Sequence, residues 1–146
     1  MNYFTDVNWL AVVLATVASM ALGMGWYTVL ANPWIAATGK TREQLLGSGG
    51  SAGPYIWAAA CQLVMAFFIA KLTPIAMGTT TVYNGALFGA TMWLGFILTS
   101  MILNHRYQNQ KWSLTLIDGG YLLGVVLVQG VVIGLFGGGT PVIPVA

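Results

Sequence analysis

Four long apolar stretches separated by short polar connections divide the chain. Each is continuously apolar, whereas the strands of a membrane barrel alternate between apolar and polar residues. Each also has the roughly 17 to 25 residues with which a helix crosses a bilayer core. The pattern predicts an all-α membrane protein, a single domain over residues 1–146 that forms a bundle of four transmembrane helices with short loops. The predicted spans are Trp9–Leu30, Tyr55–Leu72, Val82–Leu103 and Leu114–Phe136.

The connections contain residues that begin or end helices. A short interfacial helix is expected at Pro33–Thr38, because proline is favoured in the first turn of a helix. Thr41 and Gln44 have capping-box spacing. Thr73-Pro74 is expected to end the second span, since proline lacks the backbone donor that a helix interior needs. Flexible or extended segments are expected at Gly47–Pro54 and in the tail from Gly137.

The composition fits lipid rather than water as the main solvent. Only 5% of the residues are charged and 58% are hydrophobic, whereas soluble domains are about 25% charged. The net charge of +2 comes without a basic run, so no nucleic-acid partner is expected. The lone cysteine, Cys61, excludes a disulfide within the chain.

The first apolar stretch is expected to be a retained span rather than a cleaved signal peptide. A signal peptide has a basic segment before its apolar core, which is also shorter than this stretch. Here no Lys or Arg precedes the stretch, and Asp6 does.

The basic residues predict an orientation in the membrane. Lys40 and Arg42 lie between the first two spans, and Arg106 and Lys111 lie between the last two. Lys71 is alone on the other side, where its stem is expected to reach up to the headgroups. Because basic loops remain in the cytoplasm, both termini are expected to lie outside.

Small residues recur at four-residue spacing within the spans. In lipid, helices attract each other by close approach across such residues. They are expected to pack the four helices together within one chain, or to face another membrane subunit, or both. The candidate helix-packing residues are Ala11, Ala15, Ser19, Gly23, Gly85, Gly89, Gly120, Gly124, Gly130 and Gly134.

Asp118 is the most informative polar residue, because an ionisable group inside a span is costly and indicates function by default. It lies about one turn into the fourth predicted span, where the helix dipole favours a carboxylate. Arg106, Lys111 or the Lys40/Arg42 loop could pair with it. The alternatives are a structural ion pair and a proton or cation site.

Several uncharged polar residues are expected either to line one polar thread or to join helices by hydrogen bonds. Gln129 follows Asp118 by eleven residues, three helical turns, so both project from one face. Gln62 lies near the middle of the second span. Asn84 and Thr91 share a face of the third.

His105 and Arg106, at the inner end of the third span, complete the candidate polar site. A metal site needs more ligands than His105 and Asp118 provide, so no metal and no cofactor is expected. No nucleophile with an activating base accompanies them. The sequence therefore predicts no catalytic residues and a protein that is not an enzyme.

The chain resembles the largely bacterial family called domain of unknown function 1761 (DUF1761). The similarity spans nearly the whole chain and implies a four-helix membrane protein without assigning an activity. It rests on Asn8-Trp9-Leu10-Ala11, Gly23, Gly25-Trp26-Tyr27, Trp34, Trp93-Leu94-Gly95-Phe96 and Gly120-Tyr121.

Three functions remain open from the sequence. The first is a packing or accessory subunit of the bacterial inner membrane, surrounded by lipid and acting as a homo-oligomer or within a larger complex. The second is an oligomeric transporter or channel for an ion or small solute, using Asp118, Gln62 and Gln129. The lack of a proline break inside a span counts against transport. The third is an enzyme with its site around His105 and Asp118.

Overall fold

A computed structural model describes residues 6–46 and 52–137, and within these residues the chain is helical without strands. Most of the predicted linker Gly47–Pro54, and the tail after Gly137, lie outside the described residues. The helices are α1 (Trp9–Val29), α2 (Ala31–Thr38), α3 (Arg42–Leu46), α4 (Gly53–Met77), α5 (Val82–Met92), a π-helical segment (Trp93–Leu98), α6 (Thr99–Tyr107) and α7 (Trp112–Phe136).

Four helices are long and apolar enough to cross a membrane, which confirms the predicted fold class. They are α1, α4, the continuous helix Val82–Tyr107 and α7. The predicted spans coincide with them to within a few residues at each end, except at the end of α4. The protein is a membrane protein built from a four-helix bundle.

Short side-chain caps fix where the helices begin. Asn8 Oδ1 accepts from the backbone N–H of Ala11 at 3.1 Å. The predicted capping box is confirmed: Gln44 N–H donates to Thr41 Oγ1 at 3.2 Å, and Thr41 N–H donates to Gln44 Oε1 at 2.9 Å. Such caps satisfy backbone donors that have no partner within the helix.

The prediction that Thr73-Pro74 ends the second span is wrong. α4 continues to Met77 with Pro74 inside it, and it ends at Gly78, which has a φ of 81°. Proline lacks the N–H that would bond to the carbonyl four residues earlier in the helix. Pro74 lies in the last turn of α4, where the loss of this one bond does not end the helix. The Thr73 hydroxyl also donates to the carbonyl of Ile69 at 2.6 Å, so this turn remains bonded.

Lys71, the basic residue predicted to reach the headgroups, has a partner within the protein. Its side chain is only 7% exposed, and its Nζ lies 4.0 Å from Asp6 Oδ2. A carboxylate at the start of α1 therefore gives the ammonium a partner within the protein, which offsets part of the cost of burying it.

The third span has an irregularity that the sequence pattern does not reveal. The π-helical segment Trp93–Leu98 occupies the middle of the helix Val82–Tyr107. Such segments are rare and often lie at functional sites. The segment is continuous with α5 and α6, so it changes the helical winding without breaking the span.

The four spans form an up-down-up-down bundle in which α7 contacts all the others. α1 and α5 each pack against both α4 and α7, and α4 also contacts α7. One end of the bundle carries α2, α3 and the loop between α6 and α7, with their basic residues; we call it the basic end. The other end carries the start of α1 and the turn between α4 and α5, and we call it the opposite end.

The tightest helix contact joins α5 to α7. A Cβ added at Gly85 would overlap the backbone carbonyl of Gly130, and one at Gly134 would overlap the backbone of Thr81 and Val82. Because only glycine leaves room for this approach, Gly85 and Gly130 set the separation of the two helices. All ten candidate packing residues make contacts within the chain, either buried or facing a neighbouring helix.

Gly85→Ala is expected to destabilise the bundle by roughly 1–3 kcal/mol, as overpacking does in other cores. Thermal unfolding in mild detergent would measure the loss. Gly95→Ala is the matched control, because nothing lies within 4 Å of a Cβ added there. Equal melting temperatures for the two variants would contradict the close contact between α5 and α7.

Candidate functional site

A cluster of buried hydrogen bonds joins α1, α4 and α7 at the middle of the bundle. Ser19, the central residue of α1, donates to Gln62 Oε1 at 2.5 Å. Gln129 Nε2 donates to Ser19 Oγ at 3.0 Å and to the backbone carbonyl of Gln62 at 2.9 Å. Gln129 and Ser19 have no exposed surface, and Gln62 is 3% exposed. We call Ser19, Gln62 and Gln129 the amide cluster.

The amide cluster has one unused acceptor. Gln129 Oε1 is buried and has no hydrogen-bond partner among residues 6–46 and 52–137. Most buried polar atoms have a partner, and an unpaired one costs free energy. The cluster is therefore not optimised for packing alone.

Tyr121 extends the cluster towards the basic end. Gln62 Nε2 donates to the Tyr121 hydroxyl at 2.7 Å. The Tyr121 ring meets the Tyr27 ring edge-on, with 5.0 Å between centroids. Tyr27 in turn donates to Asp118 Oδ1 at 2.8 Å. Polar side chains therefore follow one another from the middle of the bundle to Asp118, interrupted only by this contact between two rings.

Asp118 is partly buried on α7, and aromatic donors hold one of its two oxygens. Trp34 Nε1 donates to Oδ1 at 3.0 Å, in addition to the Tyr27 hydroxyl. The rings of Tyr27 and Trp34 pack edge to face, with centroids 5.4 Å apart. Oδ2 accepts no hydrogen bond from the described residues. The protein therefore positions one carboxylate oxygen and gives the other no partner among these residues.

The possible ion pair between Asp118 and a basic residue does not form among the described residues, where the only ion pair is Lys71–Asp6. Lys111 Nζ donates to the carbonyl of Ala36 at 2.8 Å instead. The helix dipole also stabilises the Asp118 carboxylate less than expected. α7 begins at Trp112, which places Asp118 beyond the first turn, where the dipole effect is concentrated.

His105 and Arg106 form a group around Thr115, about one turn before Asp118 on α7, and His105 is close enough to Asp118 for an electrostatic interaction. Thr115 Oγ1 accepts from Arg106 Nη2 at 2.9 Å and lies 2.9 Å from His105 Nδ1. The Arg106 guanidinium also lies over the Trp112 ring, 3.9 Å from its centroid. Neither residue hydrogen-bonds to Asp118. The five candidate site residues therefore fall into the amide cluster, Asp118 and this basic group.

Asn84 and Thr91 do not join the polar line. Asn84 Nδ2 donates to the carbonyl of Thr79 at 3.0 Å, in the turn before α5. The exposed hydroxyl of Thr91 donates to the carbonyl of Leu87 in its own helix.

Sequence reasoning missed the roles of Tyr27, Trp34 and Tyr121, because aromatic residues at span ends are typical membrane anchors. Their burial distinguishes them from true anchors. Trp57 is 73% exposed and Tyr107 is 84% exposed, whereas these three are partly buried. The sequence did contain one signal, because Tyr27 and Trp34 fall at the same end of the predicted bundle as Asp118.

Further aromatic contacts converge on one segment of α7, residues 117–121. Trp26 Nε1 donates to the carbonyl of Ile117 at 3.2 Å, and Trp93 Nε1 donates to the carbonyl of Gly119 at 2.8 Å. A Cβ added at Gly120 would lie 3.1 Å from the Trp26 ring. Many residues on which the family resemblance rests therefore belong to this segment of α7 or contact it. They are Gly23, Trp26, Tyr27, Trp34, Trp93, Gly120 and Tyr121.

Within residues 6–46 and 52–137, no group of three or more His, Cys, Asp or Glu side chains could hold a metal ion. The chemistry that the site offers is hydrogen bonding and the charge of one carboxylate.

Comparison with known proteins identifies a family. A family model described as a protein of unknown function (DUF1761) matches residues 10–134. No curated protein matches the chain, and no solved structure does.

Tyr27→Phe is expected to lower the free energy of unfolding by about 1–2 kcal/mol, because the charged carboxylate of Asp118 loses the hydrogen bond that the Tyr27 hydroxyl donates. The measurement is thermal or denaturant unfolding in detergent, with the 84% exposed Tyr107 changed to Phe as control. In an Asp118→Asn background the effect of Tyr27→Phe should shrink, as expected for coupled residues. Full additivity of the two changes would contradict the contact.

Proposed function

This chain belongs to the DUF1761 family of proteins of unknown function. From its own residues, we propose that it is a small membrane transport protein with a proton or monovalent cation site at Asp118. The observation that carries the proposal is the state of the Asp118 carboxylate. Tyr27 and Trp34 donate to Oδ1, whereas Oδ2 accepts no hydrogen bond from the described residues.

A carboxylate in a span is expensive unless something stabilises its charge. Neutral donors do so in part here, since Tyr27 and Trp34 each contribute a hydrogen bond. The basic side chains nearest in sequence are engaged elsewhere, Lys111 with Ala36 and Arg106 with Thr115. A proton or a small cation on Oδ2 would neutralise the remaining charge.

The amide cluster supports a path that continues from Asp118 into the bundle. Ser19 lies at the middle of α1, close to the depth at which transport sites generally lie. Gln129 lies about 16 Å from Asp118 along α7, from a rise of 1.5 Å per residue. Its unpaired Oε1 offers an acceptor in the interior.

The proposal assigns Asp118 to binding rather than to acid–base catalysis. His105, the only histidine, contacts Thr115 and shares no hydrogen bond with Asp118. We therefore propose a protein that is not an enzyme and needs no cofactor. Its proposed location is a bacterial inner membrane, with the basic end in the cytoplasm and both termini outside.

A second candidate function is an accessory membrane subunit, and the third span favours it. Only 11% of an 18-residue apolar stretch of this span is buried inside the protein, against 22% to 33% for the corresponding stretches of the other three spans. Leu94 and Phe96 are 61% and 66% exposed around the open Gly95. A partner helix or a second copy of the chain would contact this face. Native mass measurement in mild detergent tests this candidate, since a monomer argues against a subunit.

Asp118→Asn is expected to reduce proton or cation flux into proteoliposomes by at least about tenfold, because the amide keeps the shape and removes the charge. The assay would follow H⁺, Na⁺ and K⁺ with entrapped dyes. Glu43→Gln is the matched control, since Glu43 is an exposed acid in α3 outside the spans. Unchanged flux of all three ions in Asp118→Asn would remove the proposal.

The orientation is tested by thiol labelling after Cys61, which is exposed on α4, is changed to Ala. In intact cells, a membrane-impermeant maleimide is expected to label Thr79→Cys at the opposite end. Gln108→Cys at the basic end should react only after permeabilisation, because basic loops remain in the cytoplasm. The reverse pattern would invert the proposed orientation.

A further inference from the structure

The short helix α2 follows α1 at the basic end of the bundle, and it has a joint at each of its own ends. At its start, Leu30 leaves the helical conformation of α1, with a φ of −98° and a ψ of 18°. Pro33 follows in the first turn of α2 and has no N–H to donate to the carbonyl of Val29, four residues earlier. At its end, Gly39 has a φ of 69°, a conformation that glycine adopts without strain. These joints allow α2 to move as one piece relative to α1.

Two polar contacts hold α2 against α7. Trp34 Nε1 donates to Asp118 Oδ1 at 3.0 Å, and Lys111 Nζ donates to the carbonyl of Ala36 at 2.8 Å. Between the two contacts and the end of the helix, Ala37 is buried, with 3% of its surface exposed. Asp118 and Lys111 are seven residues apart, about two turns of helix. Helix α2 therefore lies along the part of α7 between Asp118 and the basic end.

The contact between Trp34 and Asp118 depends on the charge of the carboxylate. Hydrogen bonds to an ionised acceptor are roughly twice as strong as hydrogen bonds between neutral groups. The indole N–H can only donate, so its bond to Oδ1 weakens when Asp118 becomes neutral. Tyr27 of α1 and His105 of α6 also act on this carboxylate, but neither belongs to α2. Among these groups, Trp34 is the one that links the charge of Asp118 to the position of α2.

We infer that α2 is a lid between Asp118 and the basic end, held closed while the carboxylate is charged and released when a proton or monovalent cation neutralises it. The inference rests on the proposed function and adds regulation to the same site. An ion that reaches Asp118 from the bundle weakens the contact with Trp34 and so opens its own exit. When the ion leaves, the restored charge holds Trp34 again and the lid closes.

The test measures how fast a water-soluble maleimide labels a cysteine on the buried side of the lid. Ala37→Cys, in the purified chain with Cys61→Ala, places a thiol at a buried position of α2. Asp118→Asn makes this side chain permanently neutral, so labelling should become about three- to tenfold faster. Trp34→Phe removes the same contact from the other side and should give a similar increase. With both changes the rate should rise no further, because they break one contact.

Three controls separate movement of the lid from other effects. Ala36→Cys lies on the exposed side of α2, and Asp118→Asn should not change its rate unless thiol reactivity itself changes. Val12→Cys lies in the interior of the bundle, where Val12 has no exposed surface, so it should stay unlabelled unless the whole bundle loosens. Tyr27→Phe removes a hydrogen bond from the same oxygen but keeps the charge, so Ala37→Cys should keep its slow rate.

An Ala37→Cys rate that Asp118→Asn leaves unchanged overturns the inference, because charge then does not hold the lid. An increase that Ala36→Cys or Val12→Cys shares overturns it too. The flux assay decides the proposed function separately. Lost flux in Asp118→Asn with an unchanged labelling rate keeps the transport site and removes the lid, whereas unchanged flux removes the proposed function.

Discussion

The interior of this protein depends on one constraint: in a bundle surrounded by lipid, polar groups have to find their partners within the chain. Ser19, Gln62 and Gln129 satisfy most of one another's hydrogen bonds across three helices. Lys71 and Asp6 pair at the opposite end. Few buried side-chain atoms of the described residues lack a hydrogen-bond partner, so these exceptions are informative. They are Gln129 Oε1, Thr80 Oγ1 and Arg106 Nε.

Close packing places these groups. Gly85 and Gly130 let α5 approach α7 at the backbone, so α7 is held from one side while α1 and α4 contact it from the other. Gly23 leaves room for the Tyr121 ring, which lies between the amide cluster and Tyr27. The small residues and the polar line are therefore parts of one arrangement, in which close approach of the helices brings the hydrogen-bonding side chains within reach.

Much of the fold could be predicted from the sequence, because long apolar stretches and caps are local signals. Thr41 and Gln44 are a clear case, since three residues of spacing determine their contact. The partners of Asp118 could not be predicted, because Tyr27 and Trp34 are more than 80 residues away in the chain and resemble ordinary membrane anchors. The burial of Lys71 and the helical position of Pro74 were missed for a related reason. Both depend on tertiary contacts or on the exact helix end, which composition does not encode.

We propose that Oδ2 of Asp118 binds a proton or monovalent cation. The most direct measurement is infrared difference spectroscopy of the carboxyl bands in proteoliposomes, on changing pH or on adding Na⁺ or K⁺. We expect a carboxylate band that shifts with one of these changes, that is absent from Asp118→Asn and that is retained in Glu43→Gln. A spectrum in which Asp118→Asn loses no responsive band would contradict it.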